Sequence, residues 1–441
     1  MKVAFATLGC RVNQYESEAM VEKFIREGYE VSDFDEFSDV YVINTCTVTN
    51  MGDKKSRQMI GRARRKNEDA VIAVVGCYAQ IAADEVAGIE GVDVVLGSRN
   101  KGDIVYWVNR SREEKKQVIE VSDVLKNNVF EELNIKEYQD RTRAFVKIQD
   151  GCNRFCSYCL IPYARGAVCS KAPDKIISEV HELAANGFKE ILLSGIHIAS
   201  FGLDLEENWN LVRILEEVDK VPGIERIRIG SIDPTFFTEG VIEKIVSFKK
   251  LCPHFHLSLQ SGCDATLKRM NRRYTAQEYK TVVENLRRNI EGVSITTDII
   301  VGFPGETEEE FNETYTFLKD IELSKMHIFK YSPRKGTKAA EIKEQINGNI
   351  KEDRSHKLIE LNNMLEKKYM DRFINQCMNV LYEQKCSNSE DEFEGYTDNY
   401  IKVTSKAAKD IEGEFHITKL IECQGDHMIG EVDFHSKMLL K

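Results

Sequence analysis

The segment Gly151-Cys152-Asn153-Arg154-Phe155-Cys156-Ser157-Tyr158-Cys159 sets three cysteines at the spacing C-x3-C-x2-C. A loop this compact can bring three thiolates to three corners of one metal cluster. A 4Fe–4S cube has four irons, so one iron lacks a cysteine and is open to the amino and carboxylate groups of a substrate. An open, reducible iron beside a bound sulfonium permits reductive cleavage of that sulfonium. A zinc site of ordinary type needs a fourth ligand from a second C-x2-C or H-x3-H pair, and none is close in the sequence.

A second set is dispersed. Cys10 follows a strand-like run in Leu8-Gly9-Cys10, Cys46 follows another in Asn44-Thr45-Cys46, and Cys77 follows a third in Gly76-Cys77. Strands of a parallel sheet end on one edge, so three cysteines at successive strand ends can meet there. Taken singly each is read as a buried structural thiol, but the repeated placement favours a second cluster of the same kind. Two open irons facing one another could hold two different reactants. The remaining cysteines, Cys169, Cys252, Cys263, Cys377, Cys386 and Cys423, share no ligand spacing and are read as apolar filling.

The elements that position these residues follow from periodicity. Residues 1–110 alternate strand and helix, with strands at 2–7, 40–44, 71–75 and 92–96 and helices at 17–27 and 52–66, the pattern of a parallel α/β sheet. Residues 111–140 are charged and weakly periodic, a linker with one short hairpin. A longer series runs from 141 to 335, with strands at 144–148, 190–193, 226–230, 254–259, 294–301 and 325–330. Two of its helices carry capping boxes, Thr275 with Glu278 and Thr307 with Glu310. Six strands are too few for a closed eightfold barrel, so a partial (β/α)6 TIM-like barrel is expected, with its working residues at the C-terminal strand ends. Those ends carry Ser194-Gly195, Ser231, Gln260-Ser261-Gly262 and Val301-Gly302-Phe303-Pro304-Gly305-Glu306. Glycine there lets a cofactor approach the backbone. A polar helix at 351–371 leads to a small β-barrel with strand-like runs at 378–383, 400–403, 416–420 and 428–432. The domains are therefore drawn as 1–113, 138–371 and 372–441.

Twelve cysteines in a chain with no signal-peptide pattern and no apolar run of membrane-spanning length suit metal ligands in a reducing compartment, and a cytoplasmic location is expected. The net charge of −11 argues against indiscriminate nucleic-acid binding. Lys54, Lys55, Arg57, Arg62, Arg64, Arg65 and Lys66 nevertheless share one predicted helix, either a solvated face or a phosphate-binding patch.

The C-x3-C-x2-C loop, with Tyr158 before its last cysteine, resembles the radical S-adenosylmethionine superfamily. That resemblance assigns the open iron to S-adenosylmethionine and Gly195 to its methionine amino group. Adding Thr7-Leu8-Gly9-Cys10-Arg11-Val12-Asn13-Gln14-Tyr15-Glu16, Asn44-Thr45-Cys46-Thr47-Val48, Gly76-Cys77-Tyr78-Ala79-Gln80 and Pro162-Tyr163-Ala164-Arg165-Gly166, nearly the whole chain resembles the methylthiotransferase family, with a TRAM-like barrel at its end. The Leu-Gly-Cys-Arg-Val-Asn form around Cys10 is similar to the branch acting on N6-threonylcarbamoyladenosine in tRNA. The resemblance implies two 4Fe–4S clusters, on Cys152/Cys156/Cys159 and Cys10/Cys46/Cys77. It also implies S-adenosylmethionine bound near Tyr158, Gly195, Ser231, Gln260 and Gly302, and a methylthio group placed at C2 of the modified adenosine at position 37. A second S-adenosylmethionine gives the methyl group. Implied partners are the tRNA anticodon loop, a reductant such as flavodoxin or ferredoxin, and a sulfur donor. The alternatives are the isopentenyladenosine or ribosomal-protein reaction and, in another class, a non-catalytic iron–sulfur RNA-binding protein. One departure stands out: residues 372–441 hold 8 Lys/Arg against 13 Asp/Glu, with an acidic run at 387–394, so a TRAM-type grip on RNA would rest on Lys402, Lys406 and Lys409.

Overall fold

The computed structural model describes residues 1–47, 50–126, 129–133, 135, 142–387, 389 and 391–434. The first body is a six-stranded sheet of β1 (Lys2–Thr7), β2 (Glu30–Ser32), β3 (Val40–Thr45), β4 (Val71–Gly76), β5 (Val94–Leu96) and β6 (Val118–Glu120) in the order β2-β1-β3-β4-β5-β6, parallel throughout. β3 and β4 are buried along their whole length, as central strands covered on both faces are. Helices Arg11–Arg26 and Asn50–Lys66 cover the sheet. The two strands not expected from the sequence, β2 and β6, are three residues long and only part-buried, so they leave no periodic trace. β6 falls inside the segment read as a linker with a hairpin. It pairs in parallel with β5 and forms no hairpin there, and residues 127–128, 134 and 136–140 of that segment lie outside the described residues.

The central body holds β7 (Arg143–Asp150), β8 (Cys169–Ser170), β9 (Glu190–Gly195), β10 (Arg226–Ile229), β11 (His254–His256), β12 (Ser294–Val301) and β13 (Lys325–Lys330). Its sheets run β10-β9-β7-β8 and β11-β12-β13, and the bridges Ile227–Leu251 and Ile232–Leu257 carry β10 towards β11. Six parallel strands therefore curve into a partial barrel, as the periodicity predicts, with the two-residue β8 added antiparallel. Both capping boxes form. Alternate residues such as Ile191, Leu193, Ile227, Ile229, Ile295 and Ile299 join one large apolar core. The intervening positions, among them Ser194, Arg228, His256 and Asp298, line a cavity.

Helix Gly348–Asp371 leads to a closed barrel of β14 (Cys377–Lys385), β15 (Glu392–Thr397), β16 (Lys402–Lys406), β17 (Phe415–Gln424) and β18 (His427–Val432), ordered β14-β15-β16-β18-β17. β15 escapes the sequence reading because its outward positions are acidic and polar while Phe393, Gly395 and Thr397 turn inward. Of the acidic run that overlaps its start, Asn388 and Glu390 lie outside the described residues. The small barrel is bonded to the large one. Arg226 donates to the carbonyls of Asn379 and Tyr396, Arg228 to those of Thr397 and Asp398, and Glu190 pairs with Arg228 at 2.8 Å.

Candidate active site

β7 delivers the chain to Gly151, whose φ of +69° and contact with the Ala167 carbonyl leave no room for a side chain. The loop that follows is moored on the segment after helix Asp264–Arg269. Ser157 N donates to Met270 O at 3.1 Å, Ser157 Oγ to Arg269 O at 2.7 Å, and Asn271 Nδ2 to Phe155 O at 2.9 Å. Each thiol meets an N–H donor at 3.4 Å: the Arg154 backbone at Cys152 Sγ, Arg272 Nη1 at Cys156 Sγ and the Ile161 backbone at Cys159 Sγ. Such donors stabilise thiolate sulfur once a metal has displaced its proton. Until then burial favours the neutral thiol, raising Cys152 and pushing Cys159 to about 12. The Tyr158 ring meets Phe303 edge to face at 6.2 Å, and burial raises its hydroxyl well above the ordinary phenol.

The dispersed cysteines come together through the parallel register, which pairs Thr7 with Asn44 and Thr45 with Gly76. Cys10 stands immediately before helix Arg11–Arg26, Cys46 leaves β3, and Cys77 opens helix Cys77–Ile81. Gly9 has φ of +104°, and a Cβ there would lie 2.7 Å from Cys46 Cβ and 2.8 Å from Cys46 Sγ. Asn13 Nδ2 ties the ends together by donating to Leu8 O at 2.7 Å and Thr45 O at 2.9 Å. Cys10 opens onto the cavity, yet enough protein surrounds it that desolvation raises its thiol, with Arg165 opposing. Among the described residues no three ligand-type side chains converge on a single ion. Thiols that hold corners of a four-iron cube stand farther apart than the ligands of one ion, and a set of three thiols is the donor type such a cube takes.

Arg165 joins the two sets. It lies six residues beyond Cys159, at the end of helix Ile161–Arg165, and its Nε donates to Cys77 Sγ at 3.3 Å. Its other nitrogens bond Glu16 at 2.5 and 3.0 Å, Asn13 Oδ1 at 2.6 Å and Asp150 at 3.2 Å. Lys147 pairs with Glu16 at 2.8 Å and Asp150 at 2.6 Å, Lys101 with Glu16 at 3.1 Å, and Arg99 with Asp150 at 3.8 Å, all of them buried. Burial works against the charged form of Glu16, but Arg165, then Lys101 and Lys147, outweigh it and hold the carboxyl below the ordinary range. Asp150 is held low in the same way, chiefly by Lys147 and then Arg165. Four cations thus face Glu16, Asp150 and the nearby Glu131. The surplus positive charge beside Cys77 is of the sign that three thiolates call for.

A cavity of about 590 Å³ fills the barrel lumen and is walled by all three bodies. Cys10, Arg11 and Val12 close it from the N-terminal sheet, and Tyr396, Tyr400 and Lys402 from the small barrel. Of the strand-end residues singled out from the sequence, Gly195 and Ser231 line it and Gln260 and Gly302 do not. Gln260 is buried with φ of +73° between β11 and β12, where its backbone bonds Asp298 and Ile300. Gly302, at φ of +68°, receives the Glu306 carboxylate on its N–H at 2.7 Å. Tyr400 is a site residue the sequence reading missed. Its ring stacks on His254 at 4.6 Å, and its hydroxyl accepts from Arg11 at 3.1 Å and Arg143 at 3.2 Å. Those guanidiniums outweigh its burial and lower its pKa to about 8.

The basic helix is less uniform than its composition. Arg64 bonds the carbonyls of Glu68, Ala70 and Gly91 and pairs with Asp93, Arg62 pairs with Asp35, and Arg57 with Glu85. Lys54, Lys55, Arg65 and Lys66 are exposed, with no ion-pair partner among the described residues. On the small barrel, Lys402 pairs with Glu394 at 2.8 Å and Lys409 lies over the Phe434 ring.

Comparison with known proteins agrees with this geometry. Residues 2–97 match the family described as uncharacterized protein family UPF0004, and residues 146–318 match the radical SAM superfamily. The chain is 45% identical to the threonylcarbamoyladenosine tRNA methylthiotransferase MtaB of Bacillus subtilis, over 95% of this chain and 94% of that one. It is 41% identical to the protein of the same name from Aquifex aeolicus, over 93% and 98%. It is 37% identical to the tRNA-2-methylthio-N(6)-dimethylallyladenosine synthase of Clostridium tetani, over 94% and 92%. Among solved structures, the radical S-adenosylmethionine methyltransferase TsrM of Kitasatospora setae is similar in fold, with a TM-score of 0.54 at 15% identity over 74% of this chain and 72% of that one. Among the described residues no helix is long and apolar enough to cross a membrane.

Proposed function

The chain belongs to the radical S-adenosylmethionine methylthiotransferase family, and from that premise we propose that it places a methylthio group on C2 of N6-threonylcarbamoyladenosine at position 37 of tRNA. The observation that carries the reading is the convergence of two thiol sets. Cys77 takes a hydrogen bond from the arginine six residues beyond Cys159, and Cys10 opens on the cavity lined by Gly195 and Ser231. Cys152, Cys156 and Cys159 hold one 4Fe–4S cluster, and Cys10, Cys46 and Cys77 hold the second. When bound, these groups supply one-electron cleavage of S-adenosylmethionine to a 5′-deoxyadenosyl radical and a site that carries sulfur.

The chain's own residues bind, orient and exclude water. Gly195 and Ser231 give the methionine end of S-adenosylmethionine close access to the backbone, and Gly302 and Gln260 shape the strand ends behind it. Tyr158 packs against Phe303 under the cluster loop. Arg228, His254 and Tyr400 close the inner end of the lumen against water. The lumen also carries His256, Thr296, Asp298, Lys325 and His327. Groups of this kind suit a threonylcarbamoyl substituent with its carboxylate, hydroxyl and amide better than an isopentenyl chain, which offers them no polar atom. Lys54, Lys55, Arg65 and Lys66 are our choice for phosphate contacts, with Arg62 and Arg64 withdrawn from that role by their internal partners.

The test is reconstitution with iron and sulfide, followed by reaction with S-adenosylmethionine, dithionite and two tRNAs. One carries threonylcarbamoyladenosine and the other isopentenyladenosine at position 37. Mass spectrometry of the nucleosides is expected to find the methylthio product from the first alone. Product from the second alone moves the substrate to the sister reaction, and 5′-deoxyadenosine with neither product removes tRNA as the substrate.

A further inference from the structure

We propose that the solvent face of the Cys152–Cys159 loop is the docking surface for an acidic protein that donates single electrons. The inference rests on reading that loop as a cluster site. Phe155, between Cys152 and Cys156, is 47% exposed, and Tyr163, four residues beyond Cys159, is 45% exposed. Their rings meet edge to face with centroids 6.0 Å apart. The Phe155 backbone sits in the left-handed region at φ of +48°, held by the Asn271 bond to its carbonyl, and the side chain is still presented to water. A paired aromatic surface in solvent is a contact surface in waiting.

Cations sit on the segments that pack against the loop. Ala339 N donates to Ser157 O at 2.8 Å, which lays the short helix Lys338–Glu341 against the loop. Lys335 precedes Gly336, whose Cβ position is 4.0 Å from Leu160 Cδ2. Arg273 follows Arg272, the donor to Cys156 Sγ. Lys335, Lys338 and Arg273 are exposed and have no ion-pair partner among the described residues, and the exposed acid of that helix is Glu341. On a chain of net charge −11, a local positive face steers an acidic partner to one place.

Phe155, Tyr163, Lys335 and Lys338, like Cys152, Cys156 and Cys159, do not line the cavity that holds Cys10, Gly195 and Ser231, so the loop presents a face of its own beside the chamber. Electron entry asks for the shortest route from solvent to iron, and Phe155 adjoins the ligand Cys156 and lies three residues beyond Cys152. The step balances as one electron lost by the donor, which is oxidised by one unit, and one gained by the cluster. That electron is consumed when the C5′–S bond of S-adenosylmethionine breaks to methionine and the deoxyadenosyl radical.

The test uses the reconstituted full chain and compares stopped-flow reduction by the hydroquinone of an acidic flavodoxin with reduction by dithionite. Reversing both lysines, Lys335→Glu with Lys338→Glu, is expected to lower the flavodoxin rate at least about tenfold at low salt and to flatten its salt dependence. Tyr163→Ala should lower it severalfold and Tyr163→Phe should restore it, while iron content, dithionite reduction and tRNA affinity stay unchanged. An unchanged flavodoxin rate overturns the proposal. So does a loss of tRNA affinity with the flavodoxin rate intact, which gives the surface to RNA, and so does an equal loss of dithionite reduction. A wild-type chain that takes up no iron at Cys152, Cys156 and Cys159 overturns the cluster reading itself and the proposal with it.

Discussion

Replacing Glu16 with Gln is the sharpest perturbation of the junction between the two thiol sets. Glu16 is fully buried and receives Arg165, Lys147 and Lys101 within 3.1 Å. In the native protein Glu16, Asp150 and Glu131 face Arg99, Lys101, Lys147 and Arg165, three negative charges against four positive. E16Q leaves two against four in a buried site. Removing one partner of a buried ionic network costs about 3–5 kcal/mol, which lowers an apparent melting midpoint by roughly 5–15 °C. Arg165→Met instead leaves three against three, so it should cost less stability although it deletes the larger side chain. Its damage falls on Cys77, which loses its hydrogen bond, and is read as lost iron or a shifted potential at the N-terminal cluster. The double variant should melt above E16Q alone, since its charges are closer to balance. Differential scanning calorimetry of the metal-free chains gives the order. The acid limb adds a check on sign. Glu16 and Asp150 are held below the ordinary carboxylate range, so their stabilisation is complete above about pH 5 and fades as pH falls towards their folded values. E16Q should flatten that limb. If Arg165→Met melts at or below E16Q, the charge argument is wrong.

Four further outcomes follow from the geometry. Cys77→Ala should hold about four irons per chain where the wild type holds about eight, measured by chemical iron analysis, and retention of all of them denies the second cluster. Gly9→Ala combines an unfavourable φ with a Cβ 2.7 Å from Cys46, so it should cost about 1–3 kcal/mol and release iron from the N-terminal site first. Tyr400 should ionise near pH 8, seen as a tyrosinate absorbance step that Tyr400→Phe removes. With the folded value below the unfolded one, stability should rise between about pH 8 and 10 and not at neutral pH. Charge reversal at Lys54 and Lys55 should weaken tRNA binding and reduce its salt slope by about 1.4, whereas Arg64→Glu should show itself as instability, because Arg64 holds three carbonyls of its own domain.

The fold was legible wherever burial imposes a period. β12 and β13 have the bounds expected from the sequence, and the capping boxes at Thr275 and Thr307 start their helices where expected, because β12 is buried along most of its length and a cap fixes the residue types that begin a helix. β2, β6 and β15 were not legible, since short or acid-rich edge strands take their place from neighbours. Within the site, cysteine spacing and strand-end placement singled out the two thiol sets proposed as cluster ligands, because ligand chemistry restricts residue type. Arg165, Glu16, Asp150 and Lys147 carried no such signal. Arg165 stood in a quoted motif, Pro162-Tyr163-Ala164-Arg165-Gly166, yet a buried cation is indistinguishable in sequence from a surface one until its partners, 149 and 15 positions away, are seen. Tyr400 was hidden for the same reason, being brought to the lumen from a separate barrel by contacts with Arg11 and Arg143.

The central claim is that two cysteine-held clusters in one chain insert sulfur into threonylcarbamoyladenosine of tRNA. It is tested most directly by mass spectrometry of tRNA nucleosides from a host strain lacking the gene, complemented in turn with the wild type, Cys156→Ala and Cys77→Ala. The account predicts that the methylthio form of threonylcarbamoyladenosine is absent from the deletion strain, returns with the wild type and returns with neither variant. Its persistence in the deletion strain, or its full return with Cys77→Ala, would contradict the account.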